Sequence, residues 1–189
     1  PTGSRWLDSI ICKGKVAGIP MGKVTEIAGL EATGKSYMAA QIAANAQKMG
    51  KIIVYFDSES AICSEFLKKS GCDLERLAYL QAQSVEFVLE TVEEFLDKCS
   101  DEDSLVFIWD SLAFTPSVSD VEGDFNPQSS MAMKARILAK GMSKLTIPLA
   151  NKNAALIVLN QLKTNIPQGP MARMIAMTTP YITPGGKAM

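Results

Sequence analysis

The chain has 189 residues with 19 basic and 20 acidic side chains, 47% hydrophobic composition and no histidine. Length and composition describe one near-neutral globular unit able to bury a core without a disulfide or metal staple. The missing imidazole excludes Ser-His-Asp and Cys-His catalysis and every histidine-ligated zinc site, and near-neutral charge confines any nucleic-acid contact to local basic patches.

In chain order, apolar runs alternate with helical segments, the pattern of a parallel sheet with crossover helices. The predicted strands are Val24–Ala28, Ile52–Phe56, Leu77–Leu80, Leu105–Trp109 and Ala154–Leu159. Between the first two, Ser36–Met49 reads as a helix closed by Gly50. Ser84–Cys99 opens on Ser-x-x-Phe and sets Val85, Val88, Leu89, Val92, Phe95 and Leu96 on one face, a core stripe. A long helix is predicted from Ser129 to about Ile147, with Pro148 stopping or kinking it. Pro116–Ser130 and Leu162–Gly186 show no clear period and read as irregular loops, a feature of functional segments in compact proteins.

Cys12, Cys63, Cys72 and Cys99 form no Cys-x-x-Cys pair and read as reduced thiols. No apolar run approaches the roughly 18 residues of a membrane span and no signal peptide opens the chain, so a cytoplasmic location without membrane contact is expected. Pro1 in place of a starting methionine and the unfinished stretch Pro184–Met189 are read as the ends of a trimmed fragment.

The chemistry concentrates at the ends of the strands. Gly29-Leu30-Glu31-Ala32-Thr33-Gly34-Lys35-Ser36 fits G-x-x-x-x-G-K-[S/T] at every fixed position, between a predicted strand and a predicted helix. In that setting glycines turn backbone amides onto phosphates, the helix N-terminus adds its positive end, Lys35 reaches the β- and γ-phosphates and Ser36 coordinates Mg²⁺. Asp110 leaves the run Leu105–Trp109 at the same edge, at the position that holds the metal's hydration shell, although an aspartate there could also cap the following segment. Asp57 and Glu59 follow Ile52–Phe56 and would share a face if the strand ran on; Glu59 is the candidate to orient or deprotonate an attacking water. Both could instead cap a helix beginning near Ala61. Asn160 and Gln161 reach that edge from the last strand, where an amide can read a γ-phosphate.

Taken with Thr2-Gly3-Ser4, Leu7-Asp8, Gly18–Ile27, Tyr55–Glu59, Asp110–Ala113, Val121-Glu122-Gly123, Leu159–Gln161 and Pro184–Ala188, the phosphate loop resembles the RecA family of recombinases over nearly the whole chain. Ile147-Pro148 through Asn151-Lys152-Asn153 is more similar to phage-encoded homologues, which would place the protein in a host cytoplasm. The resemblance implies an α/β P-loop NTPase of the RecA type, with a mainly parallel central sheet flanked by helices. It implies an ATP- and Mg²⁺-dependent filament on single-stranded DNA that pairs it with homologous double-stranded DNA. Glu59 would be the catalytic glutamate beside Lys35, Asp110 a metal-site residue with Ser36, and Gln161 the γ-phosphate sensor. Phe66 would stack on adenine, and Tyr37 would join the phosphate loop in binding the nucleotide.

Arg136, Lys163, Ile166 and Arg173 would contact DNA, the cations on phosphates and Ile166 as an apolar wedge between bases. Another basic position of the family stands here as Ser143. Residues 1–189 would then be a single ATPase core, without the N-terminal polymerisation segment and without the later stretch whose cations complete a neighbour's ATP site. A replicative helicase or other ring-forming motor would share the phosphate loop and carboxylates, and a non-enzymatic ATP-binding module would share the loop alone. Val121-Glu122-Gly123 and Pro184–Ala188 favour the recombinase.

Overall fold

In the computed structural model, residues 1–15, 18–60, 62–100, 102–123, 127–165 and 177–184 are described. A parallel sheet in the order β1-β5-β4-β2-β3 is built from β1 (Val24–Gly29), β2 (Ile52–Asp57), β3 (Leu77–Gln81), β4 (Leu105–Asp110) and β5 (Ala155–Gln161). Each strand runs one or two residues beyond its apolar core, and these extensions carry Gly29, Asp57, Asp110 and Gln161 to one edge.

Strand alternation assigns the two faces. Val54, Phe56, Phe107, Trp109, Leu156 and Val158 pack with α4 (Val85–Lys98) and α6 (Pro127–Asn151). Ile53, Tyr55, Val106, Ile108, Ile157 and Leu159 pack with the small apolar side of α2 (Lys35–Lys48), including Ala39, Ala40, Ala43 and Ala44. β4 is buried along its whole length, and each side chain such as Phe107 contributes roughly 1.5–3 kcal/mol on burial. The indole of Trp109, in this apolar layer, donates to Thr115 Oγ1 at 2.8 Å, so no polar atom of it is left unpaired.

Helix α4 opens as its sequence indicates, with the Ser84 hydroxyl accepting from the Phe87 amide at 3.0 Å. Three expectations are corrected. Helix α6 does not stop before Pro148 but runs to Asn151, with Pro148 inside it. The proline leaves the Lys144 carbonyl without its i−4 donor, and the last turn is nevertheless closed beyond it by Lys152 N, which donates to the Pro148 carbonyl at 3.0 Å. The segment read as irregular from Pro116 contains α5 (Val118–Glu122), closed at its start by a reciprocal cap between Ser117 and Asp120, and then the beginning of α6. Within Leu162–Gly186, β6 (Lys163–Thr164) pairs antiparallel with β7 (Tyr181–Ile182). Two short helices, α1 (Arg5–Ile11) and α3 (Ser64–Lys69), complete the described α-helices.

Candidate functional site

The sequence from β1 into α2 forms a loop whose shape depends on two glycines. Gly34 has φ +87° and opens α2 in the left-handed conformation, which costs glycine no steric penalty. A Cβ on Gly29 would lie 2.9 Å from Thr33 Oγ1, so the loop closes only around a glycine. Thr33 Oγ1 donates to Leu30 O at 2.8 Å, and Lys35 Nζ donates to Gly29 O at 3.1 Å and Leu30 O at 2.7 Å.

This loop forms one wall of a cleft of about 390 Å³ at the carboxyl edge of the sheet. Glu31, Ala32, Thr33, Gly34, Lys35, Ser36 and Tyr37 line that wall; Asp57, Glu59, Ile62, Phe66, Asp110, Ser111, Phe114 and Gln161 line the rest. The side chains that the sequence singles out for phosphate, metal and water therefore converge. Phe66, on α3, meets Tyr37 edge-on with ring centroids 6.4 Å apart, giving the cleft an aromatic corner. Arg136, on α6, and Lys163, on β6, are exposed and do not line the cleft. Ile166 and Arg173 lie outside the described residues.

The carboxylates are held differently from the sequence expectation. β2 ends at Asp57, so Asp57 and Glu59 do not share a strand face. Nor does Asp57 cap α3, which begins at Ser64: its Oδ1 accepts from Glu59 N at 2.9 Å and its Oδ2 from Ile62 N at 3.2 Å and from the Tyr79 hydroxyl at 2.5 Å. The side chain is thereby buried as the anchor of the turn that carries Glu59. Asp110 accepts from Tyr55 Oη at 2.9 Å and lines the cleft with Ser36. Burial pushes the Asp110 carboxyl up and Asp57 adds to the rise, while the Ser36 and Tyr55 hydrogen bonds and the Lys35 charge oppose it.

The Glu59 carboxyl is likewise raised, by burial first and then by Asp110 and Asp57, with Glu31 adding and the nearby Ser111 hydroxyl opposing. Ser111 Oγ itself, almost fully buried on the cleft wall, makes no hydrogen bond within the described residues. Burial and the neighbouring carboxylates push both the Tyr55 and the Tyr79 phenols well above their ordinary range, so both remain hydrogen-bond donors. Sequence reasoning missed Tyr55, Tyr79, Ser111 and Phe114. Tyr55 alone carried a signal, because it stands two residues before Asp57 on the same strand face.

The cleft is acidic: Glu31, Asp57, Glu59 and Asp110 face one cation, Lys35, among the described lining residues. A glycine-bearing loop at a helix N-terminus with one ammonium, opposite carboxylates and a terminal amide, can hold a polyphosphate, bind a hard cation and activate water. On the far side of β4, Lys134 of α6 donates to Leu112 O and Thr115 O at 3.1 and 2.5 Å, which ties α6 to the turn following Asp110. Burial lowers the Lys134 ammonium, the Lys163 charge lowers it further, and Asp120 and Glu86 oppose both.

Among the described residues no helix is long and apolar enough to cross a membrane. The whole chain, residues 1–189, matches the RecA N-terminal domain family. It is 34% identical to Protein RecA of Aquifex aeolicus over 189 residues, covering 100% of this chain and 51% of that protein. To Protein RecA of Thermus aquaticus it is again 34% identical over 189 residues, covering 100% of this chain and 52% of the relative. The chain thus spans about half the length of these curated relatives. The RadB recombinase crystal structure superposes with a TM-score of 0.62 at 20% identity, over 87% of this chain and 71% of that one, a likeness of fold. The chain belongs to the RecA family, within its N-terminal domain.

Proposed function

We propose that the protein is an ATP-dependent DNA recombinase that polymerises as a helical filament on single-stranded DNA, pairs it with homologous double-stranded DNA and hydrolyses ATP in recombination and repair. The observation that carries this reading is the convergence of Lys35, Ser36, Glu59, Asp110 and Gln161 on one cleft in a chain of the RecA family. Residues 1–189 act as one ATPase core. The segment Ile147–Asn153 supports a phage-encoded homologue working in a host cytoplasm.

The loop amides and Lys35 hold the β- and γ-phosphates, and Lys35 exchanges its two loop carbonyls for phosphate oxygens. Tyr37 and Phe66 seat the adenine. Ser36 and Asp110, which line the same cleft beside the phosphate loop, are oxygen ligands of the kind that fits Mg²⁺. Among the described residues no group of three or more His, Cys, Asp or Glu side chains could hold a metal alone, so the ion would share phosphate oxygens. Held by these residues, the ion would neutralise part of the phosphate charge.

Glu59 orients the attacking water and accepts its proton, a task that suits a carboxyl raised above its ordinary value by burial and neighbouring carboxylates. Gln161 reads the γ-phosphate and passes its loss to the segment beginning at Leu162. One cation against four named carboxylates leaves a triphosphate undercompensated, which supports completion of the site by cations from a neighbouring copy and slow turnover by the 189-residue chain alone. Arg136, Lys163 and Arg173 grip DNA phosphates and Ile166 wedges between bases.

The test combines electron microscopy of the intact protein on single-stranded DNA, with and without ATP and Mg²⁺, and a strand-exchange assay. Helical filaments that require ATP, and strand exchange without duplex unwinding, are expected. Single-stranded DNA binding indifferent to nucleotide would overturn the reading, and unwinding without exchange would move it to a helicase.

A further inference from the structure

The carboxylates of the cleft are gripped from below by two tyrosines that do not line it. Tyr55 of β2 and Tyr79 of β3 are register partners in the sheet, and their rings stack with centroids 6.4 Å apart and planes 15° from parallel. Each leans along its strand toward the carboxyl edge and bonds a carboxylate on the neighbouring strand. Tyr55 Oη meets Asp110 Oδ2 on β4 at 2.9 Å, and Tyr79 Oη meets Asp57 Oδ2 on β2 at 2.5 Å.

Tyr55 is 0% exposed and lies in a layer otherwise made of Ile53, Val106, Ile108, Ile157 and alanines of α2. A hydroxyl in such a layer costs free energy unless it is bonded, and a phenylalanine would fill the same space without that cost. The phenol is therefore accounted for by its acceptor. The phenol bonds Oδ2 of Asp110, on the wall of the cleft that also holds Ser36. Tyr79 works one step further back: it bonds Asp57, whose other oxygen receives the Glu59 amide at 2.9 Å.

We propose that Tyr55 and Tyr79 are positioning residues of this ATPase, Tyr55 setting the orientation of Asp110 toward the metal and Tyr79, through Asp57, setting the backbone that carries Glu59. This rests on the ATPase reading above and adds a division of labour to it. Tyr55 governs how the metal is held, and Tyr79 governs how the water is aimed.

The test uses Tyr55→Phe and Tyr79→Phe in the intact protein, which keep the rings and their stack. Three quantities are read: ATP affinity in EDTA, the Mg²⁺ concentration that half-saturates ATP hydrolysis, and kcat against KM. For Y55F the half-saturating Mg²⁺ rises about tenfold while ATP affinity in EDTA stays within about twofold, the scale of one lost hydrogen bond to a charged group. For Y79F kcat falls about tenfold, with KM and the Mg²⁺ requirement within about twofold. A purely structural role would lower metal-free and metal-dependent affinity together and leave no such split. That result, or unchanged Mg²⁺ and kcat values in variants of a Mg²⁺-dependent wild type, overturns the proposal and leaves the ATPase reading standing. A wild type without Mg²⁺-dependent ATP hydrolysis overturns the ATPase reading itself. A Y55F chain that does not fold overturns the Tyr55 assignment, since a phenol that only orients Asp110 would leave folding intact, and Y79F, at a half-exposed site, decides the Tyr79 assignment by its own kcat criterion.

Discussion

Replacement of Lys35 by alanine tests the charge balance of the cleft. Lys35 is the one described basic side chain on a wall that also carries Glu31, Asp57, Glu59 and Asp110. Its ammonium makes two bonds to the carbonyls of Gly29 and Leu30, which it must give up to reach a phosphate. A charge pair at about 4 Å is worth about 4 kcal/mol at an effective dielectric of about 20, and each surrendered bond offsets about 1 kcal/mol. The balance is about 2 kcal/mol, or about 30-fold in affinity. Titration of a fluorescent ATP analogue in the presence of Mg²⁺, with Lys35→Ala compared with the parent chain, reads this directly. The loss should shrink as ionic strength rises, because the cleft is open to solvent. Affinity within about threefold of the parent at low salt would refute the reasoning, since the remaining wall is acidic and would repel the ligand.

Glu59→Gln should keep ATP affinity within about threefold and lower hydrolysis by about 10²–10⁴, because only the general base is removed. The Glu59 carboxyl should titrate above the ordinary carboxylate range in the nucleotide-free chain, followed by NMR. Since Glu31 adds to that rise, Glu31→Gln should move the titration down, so the proton-accepting form persists to lower pH; an upward or absent shift would contradict the electrostatic assignment. Gln161→Ala should leave ATP binding nearly unchanged and abolish nucleotide control of single-stranded DNA affinity, measured by fluorescence anisotropy. Gly141→Ala should destabilise the fold by about 1 kcal/mol in urea titration. Its Cβ would lie 2.4 Å from Leu89 Cδ1 and 3.1 Å from Leu89 Cγ, an overpacking cost of roughly 1–3 kcal/mol that the roughly 1 kcal/mol helix-propensity gain offsets only in part.

The sheet was legible because parallel strands covered on both faces read as continuous apolar runs, as Leu105–Trp109 does. The phosphate loop was legible because its glycines, lysine and serine are fixed by local geometry at fixed spacing. Other features depend on information that no local window holds. The path of α6 through Pro148 is not a local choice, because Leu145 and Leu149 on either side of the proline are buried against the sheet. α5 is five residues long and announces itself only through the Ser117 and Asp120 cap, inside a stretch whose composition is that of a loop. The role of Asp57 was misread because the end of β2 is set by its pairing: Asp57 lies opposite Asp110 and Gln81, after which the chain turns. The tyrosine grip likewise needs the register of Tyr55 on Tyr79, a property of the assembled sheet.

That register also explains why binding and sensing can share one edge. β1 and β5 are neighbours, with Gly29 opposite Gln161. The Gly29 carbonyl accepts from Lys35 Nζ at 3.1 Å and from Leu162 N at 3.0 Å, so the first residue of the loop touches both the lysine proposed to bind phosphate and the start of the segment leading to Lys163. Asn160 fastens the same strand end, its Oδ1 accepting from Gln161 N at 3.0 Å and its Nδ2 donating to Glu26 Oε1 at 2.7 Å and Pro184 O at 2.9 Å. Gln161 is thus a side chain on a firmly held strand end whose next residue bonds the phosphate loop. Loss of a phosphate contact would return Lys35 Nζ to the Gly29 carbonyl, which also accepts from Leu162 N, so the state of the phosphate would reach the segment leading to Lys163 through two hydrogen bonds on one carbonyl.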